Sequence, residues 1–514
     1  MRRHIILLSG IILCASGAVA QQHLTEQHYR YADETQQWRL TQNAAGLTYD
    51  MSDSIAERGV AYFNLSHNSG SYHRVQEGNQ TNRLGFFTER YEKIGRYLYG
   101  YGSFDFDMGR TKERAWSDVM RTYYSNPFIS GSSVFGKYDF QHFTMNAKLA
   151  SVPLGRFTVG ASLYYKVGDL SRLRDPRSRN KLTDYQLTPA ATYTIGHHTF
   201  GLSAFYHRYK EKLTGLSTVQ TDPNLKYYVM TGLDRSIGTT GGYKSYWREY
   251  VDHEIGTELS YGMKQNKWKS LNTLSLTHGT EYAYGVYKYE PGRYYHNKFG
   301  FATSNRIAGE GVVHSTDLKV SYEEAYADQY NQEEITEKDD IGNETRYWNT
   351  TITYKKRYQM HKLDLNAHYR LSFTEHQATK AFVGISYNLQ DVRQKELLPV
   401  SELKVASSQI ALEGGYSLLN DQLWLTANAD YHISGKCDGS FYQSGSDYAR
   451  QVLLPDMAYY EANYWKGTLS VTYQFPLTIK GQHTHWFAKA YGSYLKTDNA
   501  LHTSTVGLSI GLFN

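Results

Sequence analysis

Eleven ionisable side chains share one kind of position in this sequence. Lys148, Lys166, Glu254, Glu258, Asp317, Lys319, Asp364, Arg370, Glu413, Asp430 and Lys489 each fall on the polar side of a segment whose alternate residues are apolar. Charges of both signs on one face can line a selective aqueous pathway, or they can pair as salt bridges that fill a closed interior. The spacing leaves both open. Catalysis has less to stand on. Among 20 histidines, His197-His198 and His483-x-His485 stand out, and His483 and His485 share one strand face. No carboxylate or cysteine at a standard ligand spacing completes a metal site around them. Neither a Gly-x-Ser-x-Gly elbow nor a phosphate loop occurs in a strand–helix context. The residues therefore imply no enzyme activity, no cofactor and no metal.

The elements that must position these charges are strands. From Leu363 the odd positions read Leu363, Leu365, Ala367, Tyr369, Leu371 and Phe373, with Asp364, Asn366, His368, Arg370 and Ser372 between them. Pleat geometry places the two sets on opposite faces. The same period of two runs through Val159–Tyr165, Val383–Leu389, Leu423–Ile433 and Leu469–Phe475. These segments are about ten residues long, as a membrane-crossing strand requires, whereas strands of soluble sandwiches usually run to about 5–6. Short connections (Lys93–Arg96, Val152–Arg156, Gly196–Thr199, Gln265–Lys269, Leu418–Asp421) tend to alternate with long ones (Arg110–Val134, Thr214–Trp247, Gln329–Glu344, Ser434–Met457). The fold expected is all-β: a single large antiparallel transmembrane β-barrel of about 16–18 strands, with 14 as a lower alternative, short periplasmic turns and long extracellular loops. The alternating segments are odd in number where an even count is needed. The surplus lies between Arg346 and Phe373, where one candidate is assigned to an external hairpin.

Composition agrees. Tyr stands at 48 and Gly at 43 against Pro at 9; tyrosine suits strands and membrane–water interfaces, and proline interrupts ladders. A mean hydropathy of −0.60 excludes a helical membrane protein but not a barrel, which shows lipid only one face of each strand. The net charge of +5, without a basic run, gives nucleic-acid binding no support. Arg2, Arg3 and His4, the apolar run Ile5–Leu13 and Ala18-Val19-Ala20 read as a signal peptide over residues 1–20, cleaved before Gln21. Only Cys437 remains after cleavage, expected as a loop thiol, so no intramolecular disulfide forms. Residues 21–57 read as a periplasmic lead-in or small plug segment, and residues 58–514 as the barrel. Aromatic clusters at Tyr246–Tyr250, Tyr294-Tyr295, and Tyr459-Tyr460 with Tyr464-Trp465 lie near strand ends. They fit an interfacial girdle or a ligand-stacking rim.

Two further segments carry resemblances. The final strand alternates Val506, Leu508, Ile510 and Leu512 with Gly507, Ser509, Gly511 and Phe513; with its penultimate aromatic it resembles the signal read by the outer-membrane barrel assembly machinery. Asn43-Ala44-Ala45-Gly46-Leu47 resembles the Asn-Pro-Ala-Gly-Leu segment that opens long-chain fatty acid transporter barrels, where it belongs to an N-terminal hatch; equally, Gly46 can close a helix end. Taken whole, the chain resembles the large outer-membrane barrels of Bacteroidetes that carry a domain of unknown function. This resemblance implies an address in the outer membrane of a Gram-negative bacterium, with membrane lipid and the assembly machinery as partners. The expected function is a channel or transporter for a small solute, with hydrophobic cargo implied by the hatch likeness. The alternative is a structural or binding barrel that partners a surface lipoprotein or a secretion or uptake complex.

Overall fold

A computed structural model describes residues 24–53, 55, 57–218, 226–240, 246–479 and 482–514; the leader at residues 1–20 lies outside them. Eighteen strands, from Arg58–Gly70 to His502–Phe513, form one antiparallel sheet that closes on itself. Its first and last strands pair from Val60 with Phe513 to Gly70 with Thr503. The count meets the upper end of the expected range, and the alternative of 14 falls away. The surplus segment is also accounted for. The candidates near Arg346 and Leu363 are one strand of 32 residues, Glu344–Glu375, paired with Val312–Lys338.

That pairing corrects the long loop expected over Gln329–Glu344, which is the upper part of a β-hairpin. A bulge explains the misreading. Ala327 pairs with Tyr358 but Gln329 with Tyr354, and Lys356 between them has φ +49°. Lys355, Lys356 and Arg357 there oppose the single Asp328, and Thr351 above them is a further extra residue, so the ladder and its alternation are broken twice. Above the bulge the hairpin stands clear of lipid on both faces, so nothing selects for alternation there.

Elsewhere the pleat sorts side chains as the sequence demands. Outward residues such as Leu274 and Leu508 are 58% and 63% exposed, while inward Ser372 and Thr472 are fully enclosed. Periplasmic turns are tight: Ile195 pairs with His198, Gln265 with Trp268 and Glu375 with Ala378. Such two-residue turns need left-handed backbone, supplied by Gly196 at φ +57°, Asn266 at +50°, and His376 and Gln377 at +47° and +61°. Among the described residues no helix is long and apolar enough to cross a membrane. A closed ring leaves no unpaired edge in hydrocarbon, and its apolar outer belt faces lipid. The protein is an outer-membrane β-barrel of a Gram-negative bacterium.

The lumen is occupied from both ends. At the periplasmic end, helix α1 (Glu26–Thr35), turns at Trp38–Leu40 and Ala44–Gly46, and helix α2 (Leu47–Asp53) lie against inward side chains of many strands. At the extracellular end, the loop between Arg114 and Gly136, the described parts of the loop between Ser217 and Arg248, and the loop carrying helix α3 (Leu454–Glu461) turn inward. They contribute a three-stranded sheet of Ser130–Ser132, Lys226–Met230 and Ser236–Thr240. Trp116, Phe128, Met230, Leu233 and Val452 from these loops bury themselves against Tyr250, Tyr294, Tyr358 and Met360 of the wall. The aromatic clusters thus divide. Tyr250 and Tyr294 point into this cap, and Tyr459 stacks on Tyr72 at 4.3 Å, whereas Trp465 is 64% exposed. Cys437 is not in a loop: it lies in strand Leu423–Ser440, with Sγ 3.7 Å from the Met457 carbonyl.

Candidate functional site

Strand register puts all eleven charged residues on the inward face, and it groups them unevenly. The densest cluster forms in the extracellular half, where five neighbouring strands each offer one or two inward polar groups at similar height. His207 bridges two carboxylates, with Nε2 2.6 Å from Asp184 and Nδ1 2.5 Å from Glu254. Glu254 also meets Lys298 at 2.9 Å and His296 at 3.6 Å, and His296 lies 3.2 Å from Asp252. Arg121 descends from the Arg114–Gly136 loop to reach Asp252 at 3.2 Å and Glu281 at 3.3 Å, its guanidinium 3.7 Å above the Tyr209 ring. Only Glu254 of this cluster was singled out from sequence. His207 and His296 carried the signal of sitting on polar strand faces; Arg121 carried none, because a loop residue has no period.

Asp252, Glu254 and His296 bring ligand atoms within 4.8 Å of one another. Those carboxylates already hold Arg121, Lys298 and His207, so a metal ion here would have to displace three cations. The donor set is built for ion pairing.

A second cluster lies lower in the lumen and joins three of the eleven. Arg306 pairs with Asp317 at 2.9 Å, His368 lies 3.8 Å from Asp317 and 2.9 Å from Glu413, and Arg370 meets Glu413 at 2.7 Å. Arg370 also stacks over Phe382 at 4.6 Å. Two others meet the N-terminal segment: Glu258 accepts the Gln42 N–H at 3.0 Å, and Lys148 donates to the Thr41 carbonyl at 3.3 Å. Asp364 pairs with Lys362 at 3.0 Å and Asp430 accepts from Gln409 at 2.9 Å. Lys166, Lys319 and Lys489 stand apart from both clusters, on the inward faces of their strands.

The N-terminal segment is fixed by many polar contacts and by two small apolar clusters, Tyr29 against Val60, Phe487 and Phe513, and Leu47 and Met51 against Tyr91 and Ala150. Glu34 accepts from Ser315 at 2.7 Å and Ser372 at 2.8 Å, and its carbonyl takes the Arg306 Nε–H at 2.6 Å. Gln37 donates to the Ser304 carbonyl at 2.7 Å, and Tyr49 shares a hydrogen bond of 2.8 Å with Thr192. Asn43 caps the turn at Ala45 and donates to the Ala191 carbonyl at 3.1 Å. Gly46 closes no helix here; a Cβ on it would sit 2.3 Å from the Trp38 ring, and one on Gly160 would sit 2.6 Å from the Ala45 nitrogen. The segment is pressed flush to the wall. Burial pushes the Asp50 carboxyl up to about 6, although it accepts the N–H groups of Trp38 and Arg39.

Two sizeable polar cavities lie among the described residues of the lumen. One of about 680 Å³ lies beside the N-terminal segment and is lined by Thr41, Glu258, Lys319, Asn366 and His368. The other, about 730 Å³, lies under the extracellular cap and is lined by Arg83, Arg114, Arg121, His142, Lys166 and His207, with Glu77 and Asp184 as its acids.

The chain is similar to several solved outer-membrane structures. The FrpB iron transporter from Neisseria meningitidis (F3-3 variant) is 9% identical with a TM-score of 0.41, over 91% of this chain and 83% of that one. The copper transporter OprC is 9% identical at a TM-score of 0.38, over 88% and 81%. OccAB3 from Acinetobacter baumannii is 9% identical at 0.37, over 90% and 100%. A comparison with curated protein sequences finds no match. Residues 44–514, which take in the turn beside Gly160 and every barrel strand, match one family model, and the chain belongs to that family, the family of unknown function DUF6850.

Proposed function

We propose that this barrel is a gated outer-membrane channel or transporter for a small polar solute. The observation that carries the reading is the lumen: a ring wide enough to hold chambers of about 680 and 730 Å³, walled by charges, and closed at its two ends by parts of the same chain. Fixed charge in a wet lumen selects by sign. Arg114 and Lys166, which line the upper cavity and make no ion pair within 4.0 Å among the described residues, favour an anion. No residue is assigned a chemical step, so the proposed role is passage without catalysis. Hydrophobic cargo fits these walls poorly.

Planar bilayer recordings test this. The intact protein is expected to show a small or flickering conductance. Deletion of residues 24–53 is expected to give a steady, anion-preferring pore, read from the reversal potential in a salt gradient. A deletion variant that folds and stays silent would refute the channel.

A second reading has one specific observation behind it. The hairpin of Val312–Lys338 and Glu344–Glu375 rises well above its neighbours, and Ile341 at its tip is 87% exposed. As a docking arm it would serve a surface lipoprotein or secretion partner. The C-terminal strand, in the same spirit, is read as the assembly signal.

A further inference from the structure

The outer wall is not uniform around its extracellular edge. On strands Arg177–Ile195 and His198–Ser217 the outward residues change character abruptly. Leu187 and Leu202 are 50% and 54% exposed, Tyr185 and Tyr206 follow with ring centroids 6.2 Å apart, and above them, with Thr183 among them, stand Arg179 and Lys181 on one strand and Arg208, Lys210 and Lys212 on the other. The alternation that fixes this face is unambiguous, since Asn180, Leu182, Glu211 and Leu213 between them are buried inward.

Two features mark this patch, and the second sets it apart from rim charge elsewhere on the wall. First, Lys181 and Lys212 are direct cross-strand partners. Side chains so placed have Cβ atoms about 4.5–5.5 Å apart, and like charges there repel. Second, neutralisation is incomplete. Asp169 takes Arg179 at 2.7 Å and stands opposite Lys181, Glu249 takes Lys210 at 3.1 Å and stands opposite Lys212, and Lys212 lies 5.7 Å from the Trp247 ring centroid; Lys181 and Arg208 make no ion pair within 4.0 Å among the described residues. At the corresponding edge of Ala378–Glu396 and Ser401–Leu418, Arg393 and Lys404 are also cross-strand partners, but Arg393 pairs with Asp391 at 3.0 Å, and Lys395 and Lys404 share Glu402 at 2.9 Å. That arc has three cations on two carboxylates; the first has five on two, at the level where the tyrosines mark the membrane interface.

We propose that this arc binds the phosphate groups of a bisphosphorylated glycolipid of lipid A type in the outer leaflet. A single amphipathic molecule satisfies the whole face. Its phosphates accept from Lys181, Arg208 and Lys212, which removes the Lys–Lys repulsion. Its acyl chains lie along Tyr206, Leu202 and Leu187. A free anion would answer only the upper half of this surface.

The test uses the full barrel in a neutral detergent, with binding read by native mass spectrometry and by thermal melting. Bisphosphorylated lipid A is expected to bind and raise the melting temperature, while its dephosphorylated form binds at least tenfold more weakly. Lys181→Gln with Arg208→Gln and Lys212→Gln is expected to cut lipid A affinity at least tenfold, and Arg393→Gln with Lys395→Gln to leave it unchanged. Heat-modifiable gel mobility reports whether each variant is folded. Equal binding of the dephosphorylated lipid, an equal response to inorganic phosphate, or undiminished affinity in the triple variant would each overturn the assignment.

Discussion

The N-terminal segment and the extracellular loops both fill the lumen, yet the balance of polar and apolar contact that holds them there differs. Residues 24–53 are anchored by Glu34, Gln37, Asn43 and Tyr49 to polar wall groups, bonds that water can replace, so each is worth only about 0.5–1.5 kcal/mol net. The extracellular cap buries Trp116, Phe128, Met230 and Val452, and apolar burial is lost at about 25 cal/mol per Å² when such a surface opens. The N-terminal segment buries the smaller apolar surface and leans more on exchangeable hydrogen bonds, so in the proposed channel it is the end expected to gate, and the cap the end expected to stay shut.

The sharpest way to break that contrast is Trp116→Ala. Trp116 is fully enclosed, packs on Tyr228 at 4.4 Å and donates its Nε1–H to Gln451 at 3.1 Å. Its loss is expected to destabilise the cap by about 3–5 kcal/mol, read as new protease cleavage between residues 115 and 135 on intact cells. The barrel should keep its heat-modifiable mobility. Next in size, Glu34→Ala strips two hydroxyls of their acceptor. It is expected to loosen the segment by about 2 kcal/mol, seen as faster hydrogen exchange over residues 26–35 and more frequent channel opening, with the cap unchanged.

The smallest effect is a pH dependence confined to one end. The Asp50 carboxyl titrates at about 6 in the folded segment, above its ordinary value of 3.8. Its packing is therefore most favourable when protonated, and that contribution falls away as pH rises through about 6. Hydrogen exchange of residues 26–53 is expected to show the segment about 1 kcal/mol less stable at pH 7.5 than at pH 5. Asp50→Asn should flatten the profile. Persistence of the slope in that variant would remove Asp50 from the account.

Most of the wall was legible because lipid enforces a period of two. Leu363–Phe373 could be read residue by residue, and with it the inward setting of Asp364 and Arg370. The same reasoning explains the failure just above: beyond the bulge at Lys356 both faces meet water, and the strand continues without a pattern to announce it. The clusters were half legible. A charge on a strand shows its face, so Glu254 and Glu413 could be found. Its partner shows nothing, because Arg121 comes from a loop and Arg306 from another strand. The N-terminal contacts were illegible for a related reason: Gln37 and Ser304 meet only once the ring exists.

That ring carries a lesson about manufacture. Gly59 and Asn514 exchange both backbone hydrogen bonds, so the seam joins the earliest and latest parts of the wall. No shorter product can form a narrower version of the same cylinder, since removing the final strand would leave two raw borders facing hydrocarbon. Insertion must therefore wait for the last dozen residues, and a ribosome that stops early yields waste instead of a smaller pore.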